Sequence, residues 1–167
     1  MVTKCGMRSA ASLVVLVLAG CPNDLTEVCD LSSAVPSADE GTGSATRSDG
    51  VPFSSQQANW SPGANASITI GLLSMVVARD ETGLAFDELV ADGALPICVR
   101  QGEAAETVGN SIFSDGDAFV TDGTHKGNVA LLSLEDDVLV GRFELDVVND
   151  EGQSIAFTDG VFSATRL

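Results

Sequence analysis

From residue 51 to the C-terminus, apolar and polar positions alternate in short runs divided by turn residues. That pattern predicts antiparallel strands with one face toward a core and the other toward water. The clearest run is 139–147. Leu139, Phe143, Leu145 and Val147 fall on one side of a strand, and Arg142, Glu144 and Asp146 fall on the other. A helix would scatter those charges into its apolar stripe. Asn149-Asp150-Glu151-Gly152 follows as a turn, with Asn149 or Gly152 able to take positive φ, and a return strand begins at 154–157. Further strands are predicted at 51–60, 67–79, 95–101, 112–120, 127–134 and 161–167. Two points stay open: Asp159-Gly160 reads equally as a hairpin turn or as a bulge inside one longer strand, and 84–90 as a strand or a helical turn. So many short strands do not fit one flat sheet. The expectation is therefore an all-β domain, an antiparallel two-sheet sandwich or small barrel, with the seven phenylalanines in its core.

The pattern fails before residue 51. Residues 30–50 are Ser, Ala, Thr, Gly, Asp and Glu for the most part, with Leu31 and Val35 as the sizeable apolar groups. Such a segment buries too little to order itself and is predicted to be a flexible spacer. The first twenty residues are different again. Lys4 and Arg8 give a basic start, and an apolar stretch over 10–20 ends at Pro22-Asn23-Asp24. A membrane-crossing helix needs roughly 20 apolar residues, so this stretch reads as an export signal. The chain thus divides into a signal peptide at 1–20, a tether at 21–50 and a β domain at 51–167.

The signal closes on Leu18-Ala19-Gly20-Cys21, which resembles the lipobox of bacterial lipoproteins. The resemblance implies that the Cys21 thiol receives a diacylglycerol, that the chain is cut before it, and that the new amino terminus can be acylated as well. Two or three acyl chains anchor stably, since each buried methylene contributes about 0.8 kcal/mol. No aspartate directly follows the cysteine, so the expected address is the cell envelope, at the outer membrane. The competing reading is an ordinary secretory signal with an incidental cysteine.

Charge and cysteines narrow the partners. Without residues 1–20 the chain has six basic against 24 acidic residues, a net charge of −18. That surface repels phosphate backbones, which excludes nucleic acid as a partner. Once Cys5 leaves with the signal and Cys21 is lipidated, Cys29 and Cys98 remain. In an exported protein a disulfide between them is expected. The alternative is Cys98 buried as a small apolar residue and Cys29 free.

Candidate chemistry is sparse. The one histidine, His125, sits in the turn-rich 121–127, and no serine lies in a Gly-x-Ser-x-Gly elbow, so neither a nucleophile with its base nor a zinc site is predicted. Asp115, Asp117 and Asp122, with Glu135, Asp136 and Asp137, cluster oxygen ligands in predicted loops and form a candidate calcium site; a solvated acidic surface that keeps the protein soluble is the favoured explanation. Gly127-Asn128-Val129 before an apolar strand, then Val140-Gly141-Arg142-Phe143 and Thr158-Asp159-Gly160-Val161-Phe162-Ser163, with an early Phe53 and Trp60, resemble small uncharacterised β lipoproteins of bacteria that carry a repeated Gly-x-Phe signature. That resemblance implies the fold and no activity. The expectation is a non-enzymatic envelope lipoprotein that meets another envelope protein or a glycan. The alternative is a calcium-binding or small-ligand-binding β domain.

Overall fold

A computed structural model describes residues 28–63, 65–78, 95–101, 107–114 and 117–167. Among these residues eleven strands run in chain order: β1 (Thr42–Arg47), β2 (Phe53–Ser55), β3 (Ala58–Ser61), β4 (Ala66–Ile70), β5 (Leu73–Ala78), β6 (Ile97–Arg100), β7 (Thr107–Ser114), β8 (Asp117–Val120), β9 (Gly127–Glu135), β10 (Val138–Val148) and β11 (Ser154–Arg166). The described residues contain no helix, and the expected all-β class is what they form. The strands join one sheet, in the order β2-β1-β11-β3-β4-β5-β7-β8-β10-β9-β6, and not two separate ones. It curls as a half-barrel, and β10 and β11 are also paired with each other.

β10 behaves as its sequence demands. Its residues alternate strictly between buried and half-buried, with Leu139, Phe143, Leu145 and Val147 inside. The hairpin that brings β9 to it turns through Asp136 and Asp137, both at positive φ (50° and 63°), the geometry of a two-residue type I′ loop. The second half of the pattern resolves the open question at Asp159-Gly160. It is a bulge: β11 continues through it, Asp159 takes φ 53°, and the register with β10 shifts between Phe143 and Leu145.

The two Gly-x-Phe stretches meet in this ladder. Gly141 pairs with Phe162 and Phe143 pairs with Gly160, so each aromatic ring covers the other strand's glycine. A Cβ on Gly160 would strike the Phe143 carbonyl oxygen and ring, and one on Gly141 would strike the Phe162 ring and the Ala130 carbonyl. Both rings are fully buried, with centroids 6.4 Å apart. Glycine is therefore required twice for close packing.

Three predicted strands divide. The 67–79 run is the β4–β5 hairpin, turned at Gly71 (φ 58°) and Leu72. The 51–60 run breaks into β2 and β3, where the Ser55 hydroxyl accepts from the Gln57 amide at 3.0 Å. The 112–120 run falls on β7 and β8, paired antiparallel from Ser111–Val120 to Ser114–Asp117. Residues 84–90 lie outside the described residues. β1 is a correction of another kind, since 42–47 was expected to be flexible spacer. It pairs with β11 on one side and β2 on the other, and Gly43 lets it approach Ile70, whose Cγ2 would sit 2.6 Å from a Cβ there.

Trp60 ties the C-terminus to the β9–β10 turn. Its indole N–H donates to the Asp137 carbonyl at 2.9 Å, the Arg166 amide donates to the same oxygen at 3.1 Å, and the Arg166 guanidinium lies 5.5 Å from the indole ring centre.

Candidate functional site under the N-terminal strap

β9 is buried on both faces, unlike β10. Val129 and Leu131 enter the main core; Ala130 and Leu132 point outward and are nonetheless covered, because Val28 packs on them with only 4% of its surface exposed. Val28 belongs to a strap, residues 28–34, laid over the outside of the sheet. Within the predicted flexible tether, these residues are also ordered.

Three kinds of contact hold the strap. Cys29 is disulfide-bonded to Cys98 of β6, with Cα atoms 5.4 Å apart, so the pairing expectation is what the structure places there. Within the strap, the Asp30 carboxylate accepts from the Ser32 amide at 3.0 Å and from the Ser32 hydroxyl at 2.5 Å, while the Ser33 hydroxyl donates to the Asp30 carbonyl at 2.7 Å. The Ser32 hydroxyl and amide bonds, with Arg142 adding attraction, hold the Asp30 carboxyl below its ordinary range. Third, Arg142 of β10 donates to the Ala34 carbonyl and the Ser33 hydroxyl.

Between strap and sheet lies an open cleft of 380 Å³, bordered by Val28, Asp30, Ser33, Ala34, Arg142, Glu144, Asp159, Gly160 and Val161. The bulge at Asp159 shapes one wall, and the outward face of β10 supplies the floor. Its volume falls within the range of small-ligand sites, and its lining combines apolar, acidic and basic groups. Such a lining offers hydrogen bonds, charge and some apolar surface within one cleft.

The predicted calcium ligands are dispersed. Asp136 and Asp137 occupy the turn at the start of β10, where Asp137 also accepts from Arg166 at 3.2 Å. Asp122 lies beyond the other end, since Lys126 accepts from the Asp146 amide and Val120 pairs with Val148. The eleven residues of β10 separate these ends by roughly 30 Å. Asp117 is exposed on β8 and borders a second depression with Arg47, Asp49 and Phe119. There Arg47 and Asp49 form a two-bonded ion pair that draws the Asp49 carboxyl below its usual range. Glu135 is exposed at the end of β9, and Asp115 lies outside the described residues. Among the described residues, no three acidic, histidine or cysteine side chains come together as a metal site.

His125 is part of a turn. Asp122 accepts from the amides of Thr124 (2.7 Å) and His125 (2.6 Å) and meets the His125 ring Nδ1 at 3.0 Å. The His125 amide bond first, then that of Thr124, lowers the Asp122 carboxyl from its ordinary value. Asp146 nearby is shifted upward, chiefly by burial.

Sequence reasoning placed Arg142 on the wet face but missed its partner. The signal for the strap was Cys29 alone, because the residues around it carry no strand pattern. Cys21 lies outside the described residues. No protein-family model, curated protein or solved structure matches the chain.

Proposed function

We propose that this chain is a lipid-anchored cell-envelope protein whose β domain binds a partner and catalyses no reaction. The observation that supports it most is the Cys29–Cys98 pair, eight residues after the cysteine of the lipobox-like sequence. Disulfides persist in oxidising compartments, where an exported lipoprotein would fold. The cleft under the strap is the candidate contact for a partner, an envelope protein or a glycan. Its floor groups are turned to structural use, with Arg142 bonded to the strap, and His125 is tied into a distant turn. In this reading the half-barrel closes into a small barrel through the long β10–β11 ladder.

Two experiments test the two parts. Metabolic labelling with an alkyne fatty acid should mark the wild-type protein and leave Cys21→Ala unmarked; acylation of that variant would overturn the anchor. A photo-crosslinking residue at Asp159, exposed beside the cleft, should capture one envelope component in living cells, while the same residue at exposed Leu72 should not. Absence of any adduct at Asp159 would count against partner binding through this cleft.

A further inference from the structure

We infer that the Cys29–Cys98 bond determines how close the domain stands to the membrane, by moving the point where its leash is fastened from β1 to β6. The inference rests on the lipid anchor at Cys21 proposed above.

The argument is one of chain length. Among the described residues, the first strand after Cys21 is β1, which starts at Thr42, twenty-one residues on. A leash of that length reaches at most roughly 75 Å at about 3.5 Å per residue. The disulfide fastens Cys29 to β6 instead, eight residues from Cys21. The reach is then at most roughly 28 Å. Nor is the cysteine the end of the attachment. Val28 beside it is buried against Ala130 and Leu132, and Arg142 grips Ser33 and Ala34 further on. The leash therefore departs from the outer face of β6 and β9, and that side of the sheet lies nearest the lipid.

Charge gives the shortening a consequence. With a net charge of −18 after residue 20, the domain is repelled by an anionic leaflet over a screening length of about 8 Å, and beyond that layer the leash alone limits how far it drifts. A short leash confines it near the headgroups. Any partner it meets is thereby one at the membrane surface.

Trp60 is the single tryptophan, so energy transfer from it reports one point in the domain. The lipidated protein, purified from cells, is placed on phosphatidylcholine vesicles carrying dansyl headgroups as acceptors. Zwitterionic lipid removes charge from the comparison. Transfer in the wild type should fall about twofold or more in Cys29→Ser/Cys98→Ser, as the free leash lengthens. A Gly-Ser insertion after Asn23 lengthens the leash while keeping the disulfide and the strap. It should lower transfer in the same way, and it decides the question if the cysteine-free variant does not fold. Equal transfer in the wild type and the insertion variant, with both floating with the vesicles, overturns the inference and leaves the anchor standing. A drop on insertion but none in a folded cysteine-free variant overturns the role of the disulfide. Wild-type protein that fails to float overturns the anchor and the inference together.

Discussion

The β10–β11 ladder and the strap over β9 are held by opposite means. In the ladder, each element is fixed from within: Phe143 and Phe162 are fully buried and seated on Gly160 and Gly141, and the burial alternates residue by residue. The strap has one well-buried apolar side chain, Val28, and is fixed from without by a disulfide, a short local hydrogen-bond network and the Arg142 guanidinium. One region owes its order to repeated small gains from packing. The other owes it to a few specific bonds. The first tolerates polar substitutions on its outer face, whereas the second depends on a few fasteners of unequal strength.

Removing the disulfide is the largest perturbation of this contrast. Cys29 and Cys98 are 69 residues apart, and closing a loop of that size restricts the unfolded chain by about 4 kcal/mol. Cys29→Ser/Cys98→Ser should lower the urea midpoint by a corresponding amount. Hydrogen exchange separates the local from the global loss. The amides of Leu31 and Ser33 should lose protection at denaturant levels where those of Leu145 and Phe157 keep theirs. Equal loss in both places would show that the strap and the ladder are a single cooperative unit.

The ladder is broken next by a single methyl group. Gly160→Ala places a Cβ against the Phe143 carbonyl oxygen, and the ring atom Cγ of Phe143 would lie 2.7 Å away. Backbone cannot swing aside as a flexible side chain can, so a loss of about 3 kcal/mol is expected. If the ring is the larger obstacle, Phe143→Leu in the same chain should recover part of the loss, which a double-mutant cycle in urea would measure. Full additivity would place the cost in the backbone contact.

How much of this was legible follows from the same contrast. β10 could be read from sequence because a strand with one wet face writes its geometry into alternation. β4 and β5 were read as one strand because the turn between them holds an exposed leucine, Leu72, so the apolar run continues across the Gly71 break. β1 was hidden by its composition. Thr42-Gly43-Ser44-Ala45-Thr46-Arg47 looks like spacer, yet small side chains are what the space beside Ile70 admits, and β11 supplies the hydrogen bonds. The run Val129-Ala130-Leu131-Leu132 was read as a strand with one wet face, and its cover by Val28 on the second face came only with the structure. The cleft was invisible because it needs the strap, the bulge and β10 at once. The acidic candidates were grouped by nearness in sequence, and a hairpin carried Asp136 and Asp137 to the far end of β10 from Asp122.

Arg142 tests the hold of the strap more gently. Arg142→Ala removes the donor to the Ser33 hydroxyl and the Ala34 carbonyl. Both acceptors are exposed enough to turn to water, so a loss of about 1 kcal/mol is expected, with the disulfide intact. The chemical shifts of residues 31–34 should change while those of β11 residues stay in place. A drop as large as that of the cysteine variant would mean that the guanidinium, and not the covalent bond, is the principal fastener.

The smallest effect sharpens the comparison from the outer face of β10 itself. Asp146 is half-buried there, and burial raises its pKa above the ordinary 3.8, with the Asp122 charge adding to the shift and His125 opposing it. A carboxyl whose folded pKa is raised favours the folded state when protonated. Its contribution is fully present below 3.8 and is lost as pH rises through the folded value. At pH 7 the charged form is therefore a small burden on the fold. Asp146→Asn should raise Tm at pH 7 by an amount worth less than about 1 kcal/mol, given how much of the group water still reaches. The gain should vanish near pH 3, where the wild-type carboxyl is protonated. Asp122 runs the other way: its lowered pKa stabilises the fold above 3.8, and that support fades as pH falls through the folded value. A Tm difference between wild type and Asp146→Asn that stays constant from pH 3 to pH 7 would assign the gain to packing, and would remove burial of charge as the reason this position resists an acidic residue.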